Sequence, residues 1–303
     1  MNDLKYNGMR LCFLIKILIN IYILSLVLLV ILSVGAVSAS DGEISELTSN
    51  STDSISIDDN EVVLESPSVM SNNVDVPSLR SGSGNSIYVD SSAGAGGDGS
   101  ITSPYKDLSS ALGSSVDGDS IYILPGIYKG LNNNVGLKIT KNNLLIIGTG
   151  PDVIFDGENT NRIFNITGSN VTIQGITFKN AKADNYGAAI YSDNLILNIK
   201  NCSFENCYLP NSYGTTGNYG GAIYVNGNLI VIDSYFVNNT ASKGSAIYLP
   251  YDGNIKWNMN ITNSTFINNN ASDEGSAIYT YSYGDLNIIN SSFINNYARY
   301  LFL

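Results

Sequence analysis

The residues from about 170 to 303 repeat one short sequence pattern five times. Phe-x-Asn recurs at intervals of 26 to 32 residues, and a second pattern, Gly-small-Ala-Ile-Tyr or a near form of it, lies between the copies. The Phe-x-Asn pairs are Phe178/Asn180, Phe204/Asn206, Phe236/Asn238, Phe266/Asn268 and Phe293/Asn295. A unit this short cannot enclose a hydrophobic core by itself, so its copies must stack on one another. The chain is therefore predicted to form a solenoid.

Each repeat is predicted to contain two short strands separated by a bend. Apolar residues lie seven and five positions before each phenylalanine, as Leu229 and Val231 do before Phe236, and this period of two is typical of a strand with one buried face. The residues three positions before the phenylalanines are Gly175, Asn201, Asp233, Asn263 and Asn290. These residue types tolerate a left-handed backbone, so a bend is predicted there, followed by a second short strand that carries the phenylalanine.

Stacked repeats would place each strand about 4.8 Å from its copy in the next coil, so equivalent residues would form columns. We expect the phenylalanines to fill an interior column. We expect the asparagines two positions later to point the same way and to bond to one another. The predicted fold is an all-β parallel β-helix. A leucine-rich-repeat solenoid is the alternative, but no helical stretch follows the Phe-x-Asn pattern. A short N-terminal capping helix is predicted from Ser103 to Leu112, with Ser103 as N-cap and Pro104 in the first turn.

Two segments before residue 87 have compositions unlike a packed core. Residues 1–39 place three cations before an apolar stretch from Ile17 to Val34 and end in small residues, which is typical of a signal peptide. An uncleaved membrane anchor is the alternative, because the stretch is long. Residues 40–86 are acidic and Ser-rich and are predicted to be a disordered linker, with a cap strand at 61–64 as the alternative. Residues 87–303 form the predicted β-helix, which we expect to be secreted or displayed on the cell surface.

The composition excludes several classes of function. The chain contains no histidine, so it cannot use a Ser-His or Cys-His relay or an imidazole metal ligand. Its net charge is −11 and residues 87–303 contain no basic run, so nucleic-acid binding has no electrostatic basis. No cofactor and no metal site are expected.

The repeats resemble those of known surface proteins. Gly220 to Ile223 reads Gly-Gly-Ala-Ile, and Phe-x-x-Asn occurs at Phe236 to Asn239, Phe266 to Asn269 and Phe293 to Asn296. These patterns resemble the repeats of polymorphic outer membrane proteins and of the adhesin-like, right-handed parallel β-helix surface proteins of methanogenic archaea. The stretch from Ile87 to Gly157 resembles the opening coils of the pectin-lyase-like superfamily.

The resemblance implies an exported, non-catalytic, adhesin-like protein that contacts glycans or proteins of other cells or of the cell envelope. The alternative that it implies is a lyase or glycoside hydrolase acting on acidic polysaccharide. Because the sequence stops soon after the fifth Phe-x-Asn, we expect a C-terminally truncated product. Its open C-terminal end is expected to favour self-association.

The adhesin-like and the catalytic interpretation each predict their own site residues. A ligand-binding aromatic ladder is predicted at Tyr191, Tyr224, Tyr248 and Tyr279, extended by Tyr281 and Tyr283, with a purely structural ladder as the alternative. The catalytic alternative would use Asp156, Glu158, Arg162, Lys179 and Asp184, although no carboxylate recurs at one position in successive repeats. Cys202 and Cys207 either form a disulfide or, as Cys202 indicates by its inward position, remain small buried thiols.

Overall fold

The computed structural model describes residues 84–210, 218–253 and 255–300. The predicted signal peptide, and the predicted linker up to residue 83, lie outside the described residues. The predicted body begins within one residue of the first strand, which starts at Ser86. No helix in these three described stretches is long and apolar enough to cross a membrane.

The described chain consists almost entirely of short strands. One helix, α1, spans Leu108–Ser114. The strands are β1 Ser86–Val89, β2 Ser120–Ile123, β3 Gly126–Tyr128, β4 Leu137–Ile139, β5 Leu145–Gly148, β6 Val153–Asp156, β7 Phe164–Ile166, β8 Val171–Gln174, β9 Thr177–Lys179, β10 Ile190–Lys200, β11 Ser203–Glu205, β12 Ile223–Ile232, β13 Tyr235–Val237, β14 Thr240–Lys243, β15 Ile247–Leu249, β16 Met259–Thr262, β17 Thr265–Ile267, β18 Asn270–Glu274, β19 Ile278–Thr280, β20 Leu286–Ile289, β21 Ser292–Ile294 and β22 Tyr297–Ala298.

Every paired strand is parallel to its partner, and each partner is the equivalent strand of a neighbouring coil. The strands form sheets of twelve, seven and three members. Leu229 pairs with Met259 between β12 and β16, and Phe204 pairs with Phe236 between β11 and β13. Like residues therefore lie side by side, as the repeat predicted. This arrangement is a parallel β-helix and not a leucine-rich-repeat solenoid.

The phenylalanines form the stacked interior column that the sequence predicted. The ring centroids of successive members, from Phe178 to Phe293, lie 4.8, 4.8, 4.6 and 4.7 Å apart with nearly parallel planes. The first four rings are fully buried, whereas Phe293 in the last described coil is 44% exposed. Burial of a phenylalanine side chain is worth about 1.5–3 kcal/mol, so this column is a main source of stability. Association of copies through the exposed strands of that last coil stays a prediction.

The bend before each phenylalanine is confirmed. Gly175, Asn201, Asp233, Asn263 and Asn290 all have positive φ angles, between 47° and 69°. A left-handed residue interrupts the alternation of side chains, so the next residue faces inward. Ser234 and Ser264 are consequently buried, and each accepts a backbone N–H bond from the equivalent residue of the preceding coil.

The expected position of the asparagine ladder was wrong by one residue. Asn180, Asn206, Asn238, Asn268 and Asn295 have φ angles of 51–56° and form a second left-handed bend, and Asn206, Asn238 and Asn268 are exposed. The following residue takes the inward position for the reason that applies at the first bend. The inward ladder therefore consists of Asn239, Asn269 and Asn296, joined by side-chain amide bonds of 2.9 Å. Asn239 and Asn269 are fully buried, and Asn296 in the last described coil is half-buried.

The two described cysteines lie at the start of these two polar ladders. The Cys202 backbone N–H donates to Ser234 Oγ at 3.2 Å, and the Cys207 N–H donates to Asn239 Oδ1 at 3.0 Å. Both thiols are free and buried, and burial raises the pKa of each to about 12. They are small interior side chains at the change from an apolar column to a polar one, and they do not form a disulfide.

The capping helix begins later than the sequence predicted. The N-cap is Asp107, whose carboxylate accepts the Ser110 N–H at 2.9 Å. Ser103 and Tyr105 do not enter the helix because their backbone groups are used elsewhere. The Ser103 carbonyl accepts the N–H groups of Asp98 and Gly99, and the Tyr105 N–H donates to the carbonyl of Tyr88 in β1. The helix buries Leu108 and Ala111 against the first coil.

Candidate functional site

The predicted tyrosines form a continuous stack on the outside of the coils. This tyrosine ladder consists of Tyr191, Tyr224, Tyr248 and Tyr279. Successive ring centroids are 5.3, 5.6 and 5.2 Å apart, with planes within 8° of parallel. The strand register explains the stack, because β10, β12, β15 and β19 pair tyrosine with tyrosine.

A glycine four residues before each tyrosine sets the path of the chain into the ladder. Gly187, Gly220, Gly244 and Gly275 all have φ angles between 56° and 74°. A side chain at Gly220 or Gly244 would meet a backbone carbonyl within the same turn. The turn therefore requires glycine both for its φ and for the close approach of backbone atoms.

The ladder is covered more than the sequence predicted. Tyr248 is 7% exposed, and two further tyrosines pack on the ladder from outside. Tyr186 lies 4.7 Å from Tyr224 and Tyr219 lies 4.6 Å from Tyr248, measured between ring centroids. Since Tyr224 and Tyr248 each have a ladder ring on both sides, a sugar ring has no free face to stack on at these two positions. The arrangement favours a structural role for Tyr224 and Tyr248.

A cation lies near the first ring and another near the last ring of the ladder. The guanidinium of Arg162 lies 5.4 Å from the ring centroid of Tyr191, and the ammonium of Lys243 lies 5.4 Å from that of Tyr279. Lys243 also pairs with Glu274 at 2.7 Å and Asp273 at 3.6 Å. Cation–π contacts of this kind contribute about 0.5–2 kcal/mol, so they stabilise the first and last rings of the ladder.

The covered ladder predicts an alkaline transition. Burial is the larger cause that raises the pKa of Tyr224 and Tyr248 above the ordinary value of 10.0, and the neighbouring tyrosines raise it further. The folded state therefore favours the neutral phenols. Their contribution to the free energy of unfolding is fully present below pH 10 and is lost as the pH rises further. We expect phenolate absorbance from these residues to appear together with loss of the circular dichroism of the fold, and Tyr248→Phe to raise the midpoint pH.

The matched control for this prediction is Tyr283→Phe. Tyr283 is 68% exposed, so this variant should leave the alkaline midpoint unchanged. Ionisation of all tyrosines with the fold intact would contradict the prediction.

Three candidate catalytic residues, Asp156, Glu158 and Lys179, have partners within turns or in neighbouring coils. The Asp156 carboxylate accepts the Glu158 N–H at 2.9 Å and the Asn180 side-chain amide at 3.1 Å. Glu158 lies 3.7 Å from Lys129, and Lys179 lies 4.0 Å from Glu205. These groups hold turns and neighbouring strands together.

Arg162 is likewise committed to its own fold region. Its guanidinium donates to the carbonyl oxygens of Gly187, Asn185 and Tyr186 at 3.0, 3.0 and 2.7 Å. Burial lowers the pKa of Arg162, and the charges of Tyr191 and Asp184 oppose this shift. Arg162 thus anchors the loop that covers the ladder. Among the described residues, no group of three Cys, Asp or Glu side chains lies close enough together to hold a metal ion.

Sequence reasoning missed a separate group of exposed aromatic residues. Tyr281 and Tyr283 do not extend the ladder. Instead, they contact Tyr251, with ring centroids 5.5 and 5.4 Å from it at interplanar angles of 52° and 85°. Tyr251, Tyr281 and Tyr283, here called the distal tyrosine cluster, are 44%, 59% and 68% exposed. Tyr251 lies outside the repeat pattern, so its position could not be read from the spacing.

Two comparisons with known proteins gave matches. A solved structure described as "Rhamnogalacturonan lyase" is similar at 15% identity and a TM-score of 0.35, over 70% of this chain and 74% of that one. No curated protein sequence matches this chain. The family model for the Chlamydia polymorphic membrane protein repeat matches residues 263–281. These residues include Phe-x-x-Asn from Phe266 to Asn269 and Gly-Ser-Ala-Ile-Tyr from Gly275 to Tyr279. The match therefore covers about one repeat of the parallel β-helix.

Proposed function

We propose that this protein is an exported, non-catalytic, adhesin-like surface protein that makes contacts with glycans or proteins through outward aromatic side chains. The observation that carries the proposal is the distal tyrosine cluster, in which three tyrosines from neighbouring coils are exposed together. The polymorphic-membrane-protein-type repeat supports a place on the cell surface.

The geometry of the distal tyrosine cluster suits recognition. Its rings meet edge to face or tilted, unlike those of the tyrosine ladder, so ring faces remain open to solvent. Ile255 on the same loop is 46% exposed and adds apolar surface. Tyrosine combines a large apolar face with a hydroxyl, which is why it is frequent among residues that dominate binding energy.

The non-catalytic part of the proposal is supported by the candidate acid and base residues. Asp156 binds a turn and a neighbouring amide, and Arg162 binds three carbonyl oxygens. A catalytic carboxylate pair needs to flank the scissile bond with room for the substrate. Side chains committed in this way do not offer that room.

Binding of the purified protein to a panel of whole cells and isolated cell envelopes tests the proposal. The triple variant Tyr251→Ser, Tyr281→Ser, Tyr283→Ser should lose at least tenfold in apparent affinity. The control is Tyr208→Ser with Tyr297→Ser, which removes two exposed rings at other sites and should bind as the parent does.

Two outcomes would overturn the proposal. Binding that is unchanged in the triple variant would exclude the cluster as the contact site. Release of unsaturated or reducing ends from acidic polysaccharide, abolished by Asp156→Ala, would show that the protein is an enzyme.

A further inference from the structure

A groove of about 480 Å³ crosses four successive coils on another side of the β-helix. One wall is the turn from Thr149 to Asp152, and the other is Tyr235. The walls are three coils apart, which corresponds to about 14 Å at the spacing of parallel strands. The volume lies within the range of small-molecule sites, about 300–1,000 Å³.

The groove exists because the turns on this side differ in length. Four residues, Thr149 to Asp152, connect β5 to β6, whereas only two residues make the same connection in each of the next two coils, Gly175 with Ile176 and Asn201 with Cys202. The long turn projects and the short ones do not. Gly148 and Gly175 pack backbone against backbone across the floor, so no side chain fills the depression there.

On the groove side, the residue next to Tyr235 in the neighbouring coil has no ring that could cover the ring of Tyr235. In the register of β11 and β13 it pairs with Ser203, and Thr177 occupies the same position one coil further. A tyrosine beside another tyrosine gives up its ring face, as Tyr224 and Tyr248 do at 5.6 Å. Tyr235 lies beside a serine, so its ring face stays uncovered, and its side chain is 54% exposed.

The groups that line the groove are polar and carry little charge. Asn201 offers an amide and Thr177 a hydroxyl group. The Ser203 hydroxyl donates to Glu205 Oε1 at 3.0 Å, so it can serve a ligand as an acceptor. Asp152 is the one carboxylate among the described lining residues, and none of those residues is Lys or Arg. On the adjacent rungs, Lys179 pairs with Glu205. An acidic sugar would meet a carboxylate without a cation to balance it.

We propose that this groove binds a neutral glycan, with one sugar ring against the exposed face of Tyr235 and its hydroxyl groups bonded to Thr177, Asn201, Ser203 and Asp152. The inference rests on the proposed surface function and names one class of ligand for it. The distal tyrosine cluster is a separate surface, since none of its members lines the groove.

Titration calorimetry of the purified protein against neutral and uronic-acid oligosaccharides of matched length tests the inference. We expect neutral oligosaccharides to bind at least tenfold more tightly than uronic-acid oligosaccharides. Tyr235→Ser places in β13 the residue that β11 carries at the same position, and it should remove this binding. Ser203→Tyr should also remove it, because a second ring would cover the face of Tyr235 as the ladder rings cover one another.

Matched controls separate the groove from the rest of the surface. Tyr297→Ser removes an exposed ring that lies in neither the groove nor the distal tyrosine cluster, so it should leave binding of neutral oligosaccharides unchanged. The unfolding midpoints of both groove variants should stay close to that of the parent. Equal or tighter binding of uronic-acid oligosaccharides, retention of binding in Tyr235→Ser, or absence of neutral-glycan binding would overturn the inference. If cell binding persists in any of these cases, the proposed surface function stands and the groove assignment alone fails.

Discussion

Replacing Asn269 by alanine is expected to lower the free energy of unfolding by about 4 kcal/mol. The Asn269 Oδ1 accepts the backbone N–H of Asn239 at 3.1 Å and its side-chain amide at 2.9 Å. The Asn269 Nδ2 donates to the Phe236 carbonyl at 2.9 Å and to Asn296 Oδ1 at 2.9 Å. Asn269 is fully buried, so the variant would leave two or three groups without partners and without water. Each such group costs about 1–3 kcal/mol.

The adjacent asparagine supplies the control for this prediction. Asn268 is exposed and holds a φ of 54° at the second bend. Since glycine adopts this conformation without steric cost, Asn268→Gly should change the free energy of unfolding by less than about 1 kcal/mol. Urea denaturation of both variants decides the matter. A larger loss for Asn268→Gly than for Asn269→Ala would mean that the interior ladder is at the first asparagine after all.

This pair of residues shows where sequence reasoning succeeded and where it failed. The phenylalanine column and the first bend can be predicted from residue type alone. A large apolar residue is favoured in the interior, and few residue types adopt a left-handed backbone as Asp233 does. The second bend was missed since asparagine serves equally well as a left-handed residue and as a ladder residue. The signal was present in the first two repeats, where Ala181 and Cys207 occupy the inward position and Asn180 and Asn206 the bend.

The surface was predictable only where it repeats. The tyrosine ladder follows from pairing of equivalent residues, and the structure contains it. Its burial beneath Tyr186 and Tyr219 depends on loops that differ between coils. The distal tyrosine cluster depends on Tyr251, and the groove depends on the turn from Thr149 to Asp152. Loop lengths vary because insertions project outward without disturbing the stack, so their side chains meet in ways that no period encodes.

The second large effect is expected at the glycine turn that leads into the tyrosine ladder. Gly244 has a φ of 56°, and a Cβ there would press on the carbonyl oxygen of Ile247 and lie 3.0 Å from its carbonyl carbon. Both atoms belong to the backbone of β15, which pairs with strands on both sides and cannot withdraw. We expect Gly244→Ala to lower the free energy of unfolding by at least about 3 kcal/mol, made up of about 1 kcal/mol for the left-handed backbone and the remainder for the displaced strand.

Gly253 allows the two contributions to be separated. Its φ is 58°, almost that of Gly244, but no described atom lies within 4 Å of a Cβ built there. Gly253→Ala therefore carries the backbone cost alone and should destabilise the protein by about 1 kcal/mol. Because φ is matched, the difference between the two variants measures how rigidly β15 is held beneath Tyr248. Equal effects in urea denaturation would show that β15 moves to make room for the added methyl group. The tyrosine ladder would then not require glycine at this turn.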